Sequence, residues 1–363
     1  MQGLKNFFAT RWGIIFVGLV IGVLASLLQK LGNPPNMGIC VACMERDIAG
    51  ALGLHRAGVV QYLRPEILGF VLGAFLSALL YREYKPRGGS APFIRFILGI
   101  FAMIGALVFL GCPWRTLLRL AGGDGNAIFG LLGLIFGIFI GTRFLKAGYS
   151  LGRTQPASSK AAGLAFPFLM LGLLVLLLID PRPEGGGRGL ILFYSAKGPG
   201  SMFAPVFVSL FIGLVIGVLA QRSRFCTMGA FRDLLLFKQG HLFSGVLALL
   251  ISAFITNLIL GQFNPGFEKQ PIAHTMQLWN FLGMTLAGLA FTLAGGCPGR
   301  QLFLSGEGDA DAAIFATGMI VGAGIAHNFG LASSPAGIGP NGAVATIIGL
   351  IVCIIIGLAM RRR

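Results

Sequence analysis

The sequence predicts an all-α polytopic membrane protein, with about ten transmembrane helices, four short re-entrant helices and an inverted internal repeat. Three observations carry this prediction. Hydrophobic residues make up 55% and charged residues 11% of the 363 residues, and the mean hydropathy is +0.84, whereas soluble domains carry about 25% charged residues. Apolar runs long enough to cross a bilayer recur along the chain, and one ordered set of motifs occurs twice. We therefore expect a single membrane domain over residues 1–363.

The apolar runs are interpreted as spans because a transmembrane helix needs about 20 predominantly apolar residues. Clear examples are the runs 12–28, 164–179 and 343–360. The first run follows MQGLKNFFATR and lacks a polar region with an Ala-x-Ala cleavage site. We therefore expect a retained helix there and not a removed signal peptide. The 56 glycines fit close packing between such helices.

The net charge of +16 does not indicate a nucleic-acid-binding protein, because Lys and Arg concentrate in the cytoplasmic loops of membrane proteins. With the N-terminus placed inside, most of the 28 Lys and Arg residues fall in inner segments. Examples are Lys5, the loop 82–95 and the terminal residues Arg361, Arg362 and Arg363. This bias predicts that both termini are cytoplasmic, in a chain surrounded by the lipid bilayer.

The repeat begins with identical octapeptides. GLVIGVLA occupies 18–25 and occurs again at 213–220. A cysteine followed by an Arg-Asp pair comes next in each half: Cys40 precedes Arg46 and Asp47, and Cys226 precedes Arg232 and Asp233. We expect each cysteine segment to be one of the short helices, with the Arg-Asp pair as a supporting element, either an interface anchor or a local ion pair.

A Gly-Cys-Pro motif follows in each half. The chain has GCPWR at 111–115 and GCPGR at 296–300, and each copy leads into a glycine-rich turn with Asp124 or Asp309. These features recur in one order at nearly constant spacing, which predicts two units over 13–147 and 203–327. A single connecting span at 163–180 makes the second unit enter the membrane from the opposite side. An extra span at 341–360 ends the chain.

The Gly-Cys-Pro step predicts a site for an anion. Gly111 and Gly296 permit a sharp turn at membrane depth, and Pro favours the first turn of a new helix. The thiols of Cys112 and Cys297 would then lie at half-helix N-termini, which carry unpaired N–H groups and a partial positive charge. In each copy the Arg two residues beyond Pro, Arg115 or Arg300, adds a full positive charge.

Other interpretations of these residues stay open at this point. A buried cysteine is often simple packing, and Cys353 in an apolar run is best explained so. Cys43 forms a CVAC motif with Cys40, but its counterpart in the second half is Gly229, which speaks against a dithiol needed in both units. The four histidines show no metal-ligand spacing, and Asp124 and Asp309 are expected to cap helices. We expect no metal, no cofactor and no enzymatic activity.

The paired Gly-Cys-Pro motifs, the upstream cysteines and the duplication resemble the YeeE/YedE family of sulfur transporters over nearly the whole chain. MGICVACMERDIAGALGLHRAGVVQYLRPE and RSRFCTMGAFRDLLLFKQGHLFSG resemble its selenium-metabolism branch, called YedE. The family implies thiosulfate uptake across the bacterial inner membrane, and the branch implies transport of a selenium compound. The resemblance further implies path cysteines at Cys40, Cys112 and Cys297, with Cys226 as the symmetry mate of Cys40, and a small cytosolic sulfur-carrier protein as companion. This chain differs from shorter members of the family in having a tenth span and Cys43.

The combined prediction is an inner-membrane transporter for a small sulfur- or selenium-containing anion. The anion would enter near Cys40, pass Cys112 and Cys297, and leave near Cys226. A neutral thiol is a weak donor with a polarisable surface, so it can hold a terminal sulfur or selenium without preventing release. The alternative is a membrane thiol-disulfide oxidoreductase that cycles a Cys40–Cys43 disulfide. The cargo's identity, the coupling ion and the oligomeric state are left open by the sequence.

Overall fold

The fold is known from a computed structural model, which describes residues 7–157 and 159–361. In the described part of the chain the ten long helices are α1 Arg11–Lys30, α3 Pro65–Leu80, α4 Pro92–Phe109, α6 Asn126–Lys146, α7 Lys160–Ile179, α8 Val206–Ser223, α10 His241–Ile259, α11 Gln277–Ala294, α13 Ala310–Asn328 and α14 Gly342–Ala359. Four short helices are α2 Val41–Ala51, α5 Pro113–Ala121, α9 Thr227–Phe237 and α12 Pro298–Gly306. The all-α prediction is confirmed.

The long helices have the composition of membrane spans. Within the described residues, nine helical segments are long and apolar enough to cross a membrane. In three of them a short helix directly follows the long one, as in the segment Pro92–Ala121. The remaining long helix, α3, is apolar but has only 16 residues. The chain is therefore a multi-pass membrane protein.

Two small β-ribbons, which the sequence did not predict, lie in loops. β1 Arg87–Gly88 pairs antiparallel with β2 Gln155–Pro156, and β3 Gly187–Arg188 pairs with β4 Phe193–Tyr194. Each strand has only two residues, which is too short for an alternating pattern to be recognised in the sequence.

The main packing contacts join helices of the two predicted units. α1 packs on α10, α3 on α8, α4 on α13 and α6 on α11, while α4 also packs on α11. Glycine makes these crossings close: a Cβ added to Gly283 of α11 would lie 2.9 Å from the carbonyl oxygen of Gly105 in α4. A Cβ added to Gly213 of α8 would lie 2.6 Å from the carbonyl oxygen of Glu66 in α3. Such close backbone approach is typical of membrane helix interfaces.

The loops gather in two groups at opposite ends of the helices. In one group the Lys85 N–H donates to Glu307 O and the Ser150 N–H donates to Met360 O. In the other group the Asn264 N–H donates to Gly122 O. The assignment of the first group to the cytoplasm stays a prediction. Lys5, Arg362 and Arg363 lie outside the described residues.

Candidate functional site

Two short helices begin at a cysteine whose sulfur caps the first turn. Cys40 is the N-cap of α2, and its Sγ accepts a hydrogen bond from the Cys43 N–H at 3.4 Å. Cys226 is the N-cap of α9, and its Sγ accepts from the Gly229 N–H at 3.2 Å. In these caps sulfur takes the role that an oxygen of Ser, Thr or Asp usually has. The partner is a backbone amide, so the Cys43 to Gly229 difference between the units leaves the cap unchanged.

The other two short helices begin at the Gly-Cys-Pro motifs. Cys112 and Cys297 are the N-caps of α5 and α12, and the following proline occupies the first turn. The predicted position of the sharp turn was wrong by one residue. The left-handed residues are Leu110, with φ of 65°, and Gly295, with φ of 88°, because these residues end the preceding helices α4 and α11.

The motif glycines instead leave room for the arginines of the same motifs. A Cβ added to Gly111 would lie 3.0 to 3.2 Å from the Cδ, Cβ and Cγ atoms of Arg115. A Cβ added to Gly296 would lie 3.2 Å from Cγ of Arg300. Each arginine therefore folds back over the glycine four residues before it.

The four predicted path cysteines meet as two pairs. The Sγ atoms of Cys40 and Cys112 are 3.8 Å apart, and those of Cys226 and Cys297 are 3.7 Å apart. Cys226 is 6% exposed and the other three are fully buried. Each pair joins the N-cap residue of one short helix to the N-cap residue of another within the same predicted unit. The N-terminal ends of two short helices thus converge on each thiol pair.

The thiols are not joined by disulfides. All six cysteines lie within the described residues and all are free. Cys43 Sγ lies 3.9 Å from the carbonyl oxygen of Leu110, to which it donates. Cys353 is buried in α14. The Cys40–Cys43 disulfide of the oxidoreductase alternative is therefore not formed in this conformation.

The Arg115 guanidinium is fully buried and is held by backbone carbonyls. It donates to Leu110 O at the end of α4, to Asn36 O at 3.1 Å and to Ile272 O at 3.2 Å. It also lies 3.5 Å from Cys43 Sγ. Arg115 thus satisfies a carbonyl left unpaired where α4 ends and joins two loops to the end of α4 and to Cys43.

Arg300 has a different partner in the second unit. Its guanidinium lies 3.5 Å from the Glu307 carboxylate, at 12% side-chain exposure on both residues. Stabilisation of an anion by Arg115 and Arg300 stays a prediction, and in this conformation both side chains have protein partners.

The two Arg-Asp pairs form local ion pairs in very different surroundings. Asp47 is fully buried and accepts from Arg46 at 2.7 Å and from Arg64 at 2.8 Å. The Asp233 carboxylate accepts from Arg232 at 2.9 Å, but these side chains are 20% and 29% exposed. The equivalent pairs are therefore a buried network in one unit and a half-exposed contact in the other.

Arg64 and Trp114 are two further buried residues beside the site. Arg64 is one of the basic loop residues that an anion site could hold, but sequence reasoning missed its buried contacts, and it missed Trp114 altogether. Arg64 also donates to Pro199 O at 2.7 Å and to Met202 O at 2.9 Å, which ties α3 to the loop before α8. No spacing in the sequence points to Arg64. Trp114 could have been found, because it is the position at which GCPWR and GCPGR differ.

The helix-capping prediction is confirmed for Asp309, whereas the N-cap of α6 is Gly125, the residue after Asp124. Asp309 is the N-cap of α13 and accepts from the Ala312 N–H at 3.1 Å. Asp124 accepts from the Asn126 N–H at 2.9 Å where α6 begins, and also from Arg119 at 2.6 Å. Across residues 7–157 and 159–361 there is no cluster of three or more His, Cys, Asp or Glu side chains that could hold a metal ion.

Comparison with known proteins finds partial matches to sulfur transporters. A family model described as sulphur transport matches residues 222–360, which include Cys226 and Cys297. The thiosulfate transporter TsuA of Spirochaeta thermophila is 33% identical over 103 residues, which are 28% of this chain and 31% of that protein. The thiosulfate transporter TsuA of Escherichia coli is 31% identical over 108 residues, 30% of each chain.

The uncharacterized protein MJ1590 of Methanocaldococcus jannaschii is 28% identical over 99 residues, 24% of this chain and 94% of that protein. The match to this chain spans less than a third of the length of either TsuA protein. Together the matches confirm the resemblance to the YeeE/YedE family. The selenium-metabolism branch stays a prediction.

Proposed function

We propose that this chain is a transporter that passes a small anion with a terminal sulfur or selenium atom along four thiols. The observation that carries the proposal is the pair of matched thiol contacts, Cys40 with Cys112 and Cys226 with Cys297, each at the N-terminal ends of two short helices. Relatives named thiosulfate transporters support the same cargo class. Thiosulfate is the first candidate and a reduced selenium compound the second.

The pathway lies between two inverted units, 13–147 and 203–327, with a connecting span at 163–180 and an extra span at 341–360. The packing supports this organisation. Exchanging the units turns the contact of α1 with α10 into that of α8 with α3, and the contact of α6 with α11 into that of α13 with α4. All four contacts occur. A site between two such units is the usual arrangement in inverted-repeat transporters.

The chemistry of the thiol pairs suits a transient anion site. Helix N-termini carry unpaired N–H groups and a partial positive charge, and two of them meet at each pair. The thiols themselves are weak donors, so they contact a soft sulfur or selenium atom without a strong bond that would slow its release. The anion moves from Cys40 and Cys112 to Cys297 and Cys226.

Net uptake of an anion must proceed against the membrane potential. Moving a dianion into a negative-inside cell costs about 2.3 kcal/mol per charge per 100 mV. Uptake through the inner membrane, with both termini cytoplasmic, therefore needs a coupled ion or rapid consumption of the cargo inside. A small cytosolic sulfur-carrier protein would serve the second route.

Vesicle transport of labelled thiosulfate tests the proposal. We expect wild-type protein in proteoliposomes to take up thiosulfate, and Cys112→Ala and Cys297→Ala to abolish or sharply reduce the initial rate. Cys353→Ala is the matched control, because Cys353 is an equally buried cysteine far along the chain in α14. Wild-type rates in both Gly-Cys-Pro variants would disprove the thiol pathway.

Transport is better supported than thiol-disulfide exchange. Cys40 and Cys43 are not bonded to each other, and the second unit has Gly229 where the first has Cys43. Mass spectrometry of cysteines trapped in the membrane separates the two functions. A transporter keeps Cys40 and Cys43 as free thiols during turnover, whereas an oxidoreductase accumulates their disulfide.

A further inference from the structure

Trp114 lies where the two Gly-Cys-Pro helices meet. It is the second residue of α5, two residues after Cys112, and it faces Gly299, the second residue of α12, two residues after Cys297. A Cβ added to Gly299 would lie 3.2 Å from Trp114 Cζ2 and 3.4 Å from its Cε2. The indole therefore rests on the backbone of the opposite motif, and a side chain at position 299 would press against it.

Aromatic rings close the space around this indole. Its ring centroid is 5.9 Å from that of Phe70, 5.7 Å from that of Phe225 and 6.1 Å from that of Phe303. Phe225 directly precedes Cys226 in the chain. Trp114 thus belongs by sequence to the first thiol pair and contacts residues beside both thiols of the second pair. Its contacts therefore link the two pairs.

The indole N–H of Trp114 is buried and has no hydrogen-bond partner. A buried donor without a partner is uncommon, since Trp usually finds a partner for its N–H when it is buried. The Nε1 atom is bonded to Cε2, the atom that lies beside Gly299, so the free donor is next to the first turn of α12.

We propose that Trp114 separates the two thiol pairs in the closed pathway and that its N–H binds an oxygen of the anion during passage. This inference rests on the proposed transport function. A thiosulfate-like anion has a soft end and an oxyanion end. The thiols suit the soft end, and a neutral N–H donor suits an oxygen. The anion passes when the indole turns away from Gly299, which removes the aromatic barrier and presents the donor at once.

The first test examines the role of the Trp114 N–H as a hydrogen-bond donor separately from the role of the ring as a barrier. Trp114→Phe keeps an aromatic ring and removes the N–H. We expect thiosulfate uptake by proteoliposomes with a KM raised about tenfold to a hundredfold, the usual effect of losing one hydrogen bond to a charged group. Trp279→Phe is the control, because Trp279 lies on α11 outside the ring cluster, and its KM stays at the wild-type value. An unchanged KM in Trp114→Phe overturns the donor role.

The second test examines the barrier. Gly299→Ala adds a methyl group at 3.2 Å from the indole, so we expect the indole to turn less readily and uptake to slow while the protein stays folded. Trp114→Ala opens the space, and preloaded vesicles should then release sulfate faster than wild-type vesicles. The barrier role is overturned if Gly299→Ala takes up thiosulfate at the wild-type rate and Trp114→Ala vesicles retain sulfate as well as wild-type vesicles do.

A binding measurement completes the set without transport. The chain has three tryptophans, so a Trp12→Phe, Trp279→Phe variant reports Trp114 alone. In detergent, we expect thiosulfate to change the fluorescence emission of Trp114. Chloride at equal ionic strength should leave that emission unchanged. No response to thiosulfate, in protein that takes thiosulfate up, refutes the Trp114 inference alone. Absence of uptake by the wild type refutes the proposed function and this inference with it.

Discussion

Replacement of Asp47 by Asn should cost far more stability than the same change at Asp233. Asp47 is fully buried between Arg46 and Arg64, with contacts of 2.7 Å to each guanidinium. Removing its charge leaves two buried guanidinium groups without an anion, for which breaking a buried pair typically costs about 3–5 kcal/mol. Asp233 occupies the equivalent position in the second unit, and its pair with Arg232 is partly exposed. Its loss should cost about 0–1 kcal/mol.

The protein carries its own reporter for this comparison. All six cysteines are free and buried, so a thiol-reactive fluorophore labels them only as the protein unfolds in detergent. The labelling midpoint on heating should fall much further for Asp47→Asn than for Asp233→Asn, and high salt should lower only the small effect at Asp233. Equal shifts in the two variants would refute the argument that burial sets the strength of the pair.

Three further outcomes are expected. Reporter fusions should place the loop 82–95 inside and the loop 262–275 outside, and both loops on one side would contradict the inverted repeat. Unlabelled thiosulfate should compete for uptake about tenfold to a thousandfold better than sulfate. Counting three of the four path thiols, those of Cys40, Cys112 and Cys297, each offers an oxygen a bond weaker by roughly 0.5–1.5 kcal/mol. Equal inhibition would mean that the thiols do not select the cargo. Burial raises the pKa of Asp180, but three backbone N–H donors from 190–192 lower it further, so the net pKa is lowered. The carboxylate then stabilises the fold above its unfolded pKa of about 3.9, and this stabilisation is lost as the pH falls through the lowered folded pKa. Asp180→Asn should therefore lower the unfolding midpoint at pH 7, and the effect should shrink as the pH is lowered below about 3.9; a gap of constant size in acid would exclude this cause.

The sequence predicted the helices well because each depends on a local pattern. Apolar runs predicted the spans, and cysteine or Gly-Cys-Pro steps predicted where the four short helices begin. The pairing of Cys40 with Cys112 and of Cys226 with Cys297 could not be predicted in this way. Those distances depend on how short helices pack against each other, and no periodicity records that packing.

Contacts between distant segments explain the remaining differences. Arg64 reaches carbonyls of Pro199 and Met202, which are separated from it by several helices. Arg115 was predicted to face an anion, and it also meets the carbonyl of Leu110. The Leu110 carbonyl has no partner within the helix because α4 ends there in a left-handed residue. A left-handed leucine is rare, so Gly111 beside it was the better prediction for the position of the turn.

The exchange of partners between the two units bears on how the protein is made. α1, α3, α4 and α6 are synthesised before α8, yet the main contacts of α1, α3 and α6 are with α10, α8 and α11. The glycine-lined faces of the early helices therefore have no packing partner in the membrane until the later helices insert. Arg64 likewise lacks two of its hydrogen-bond partners at first, because the carbonyls of Pro199 and Met202 are synthesised only after α7. Neither half of the chain has a complete interior of its own, so assembly finishes only when nearly the whole polypeptide has left the ribosome.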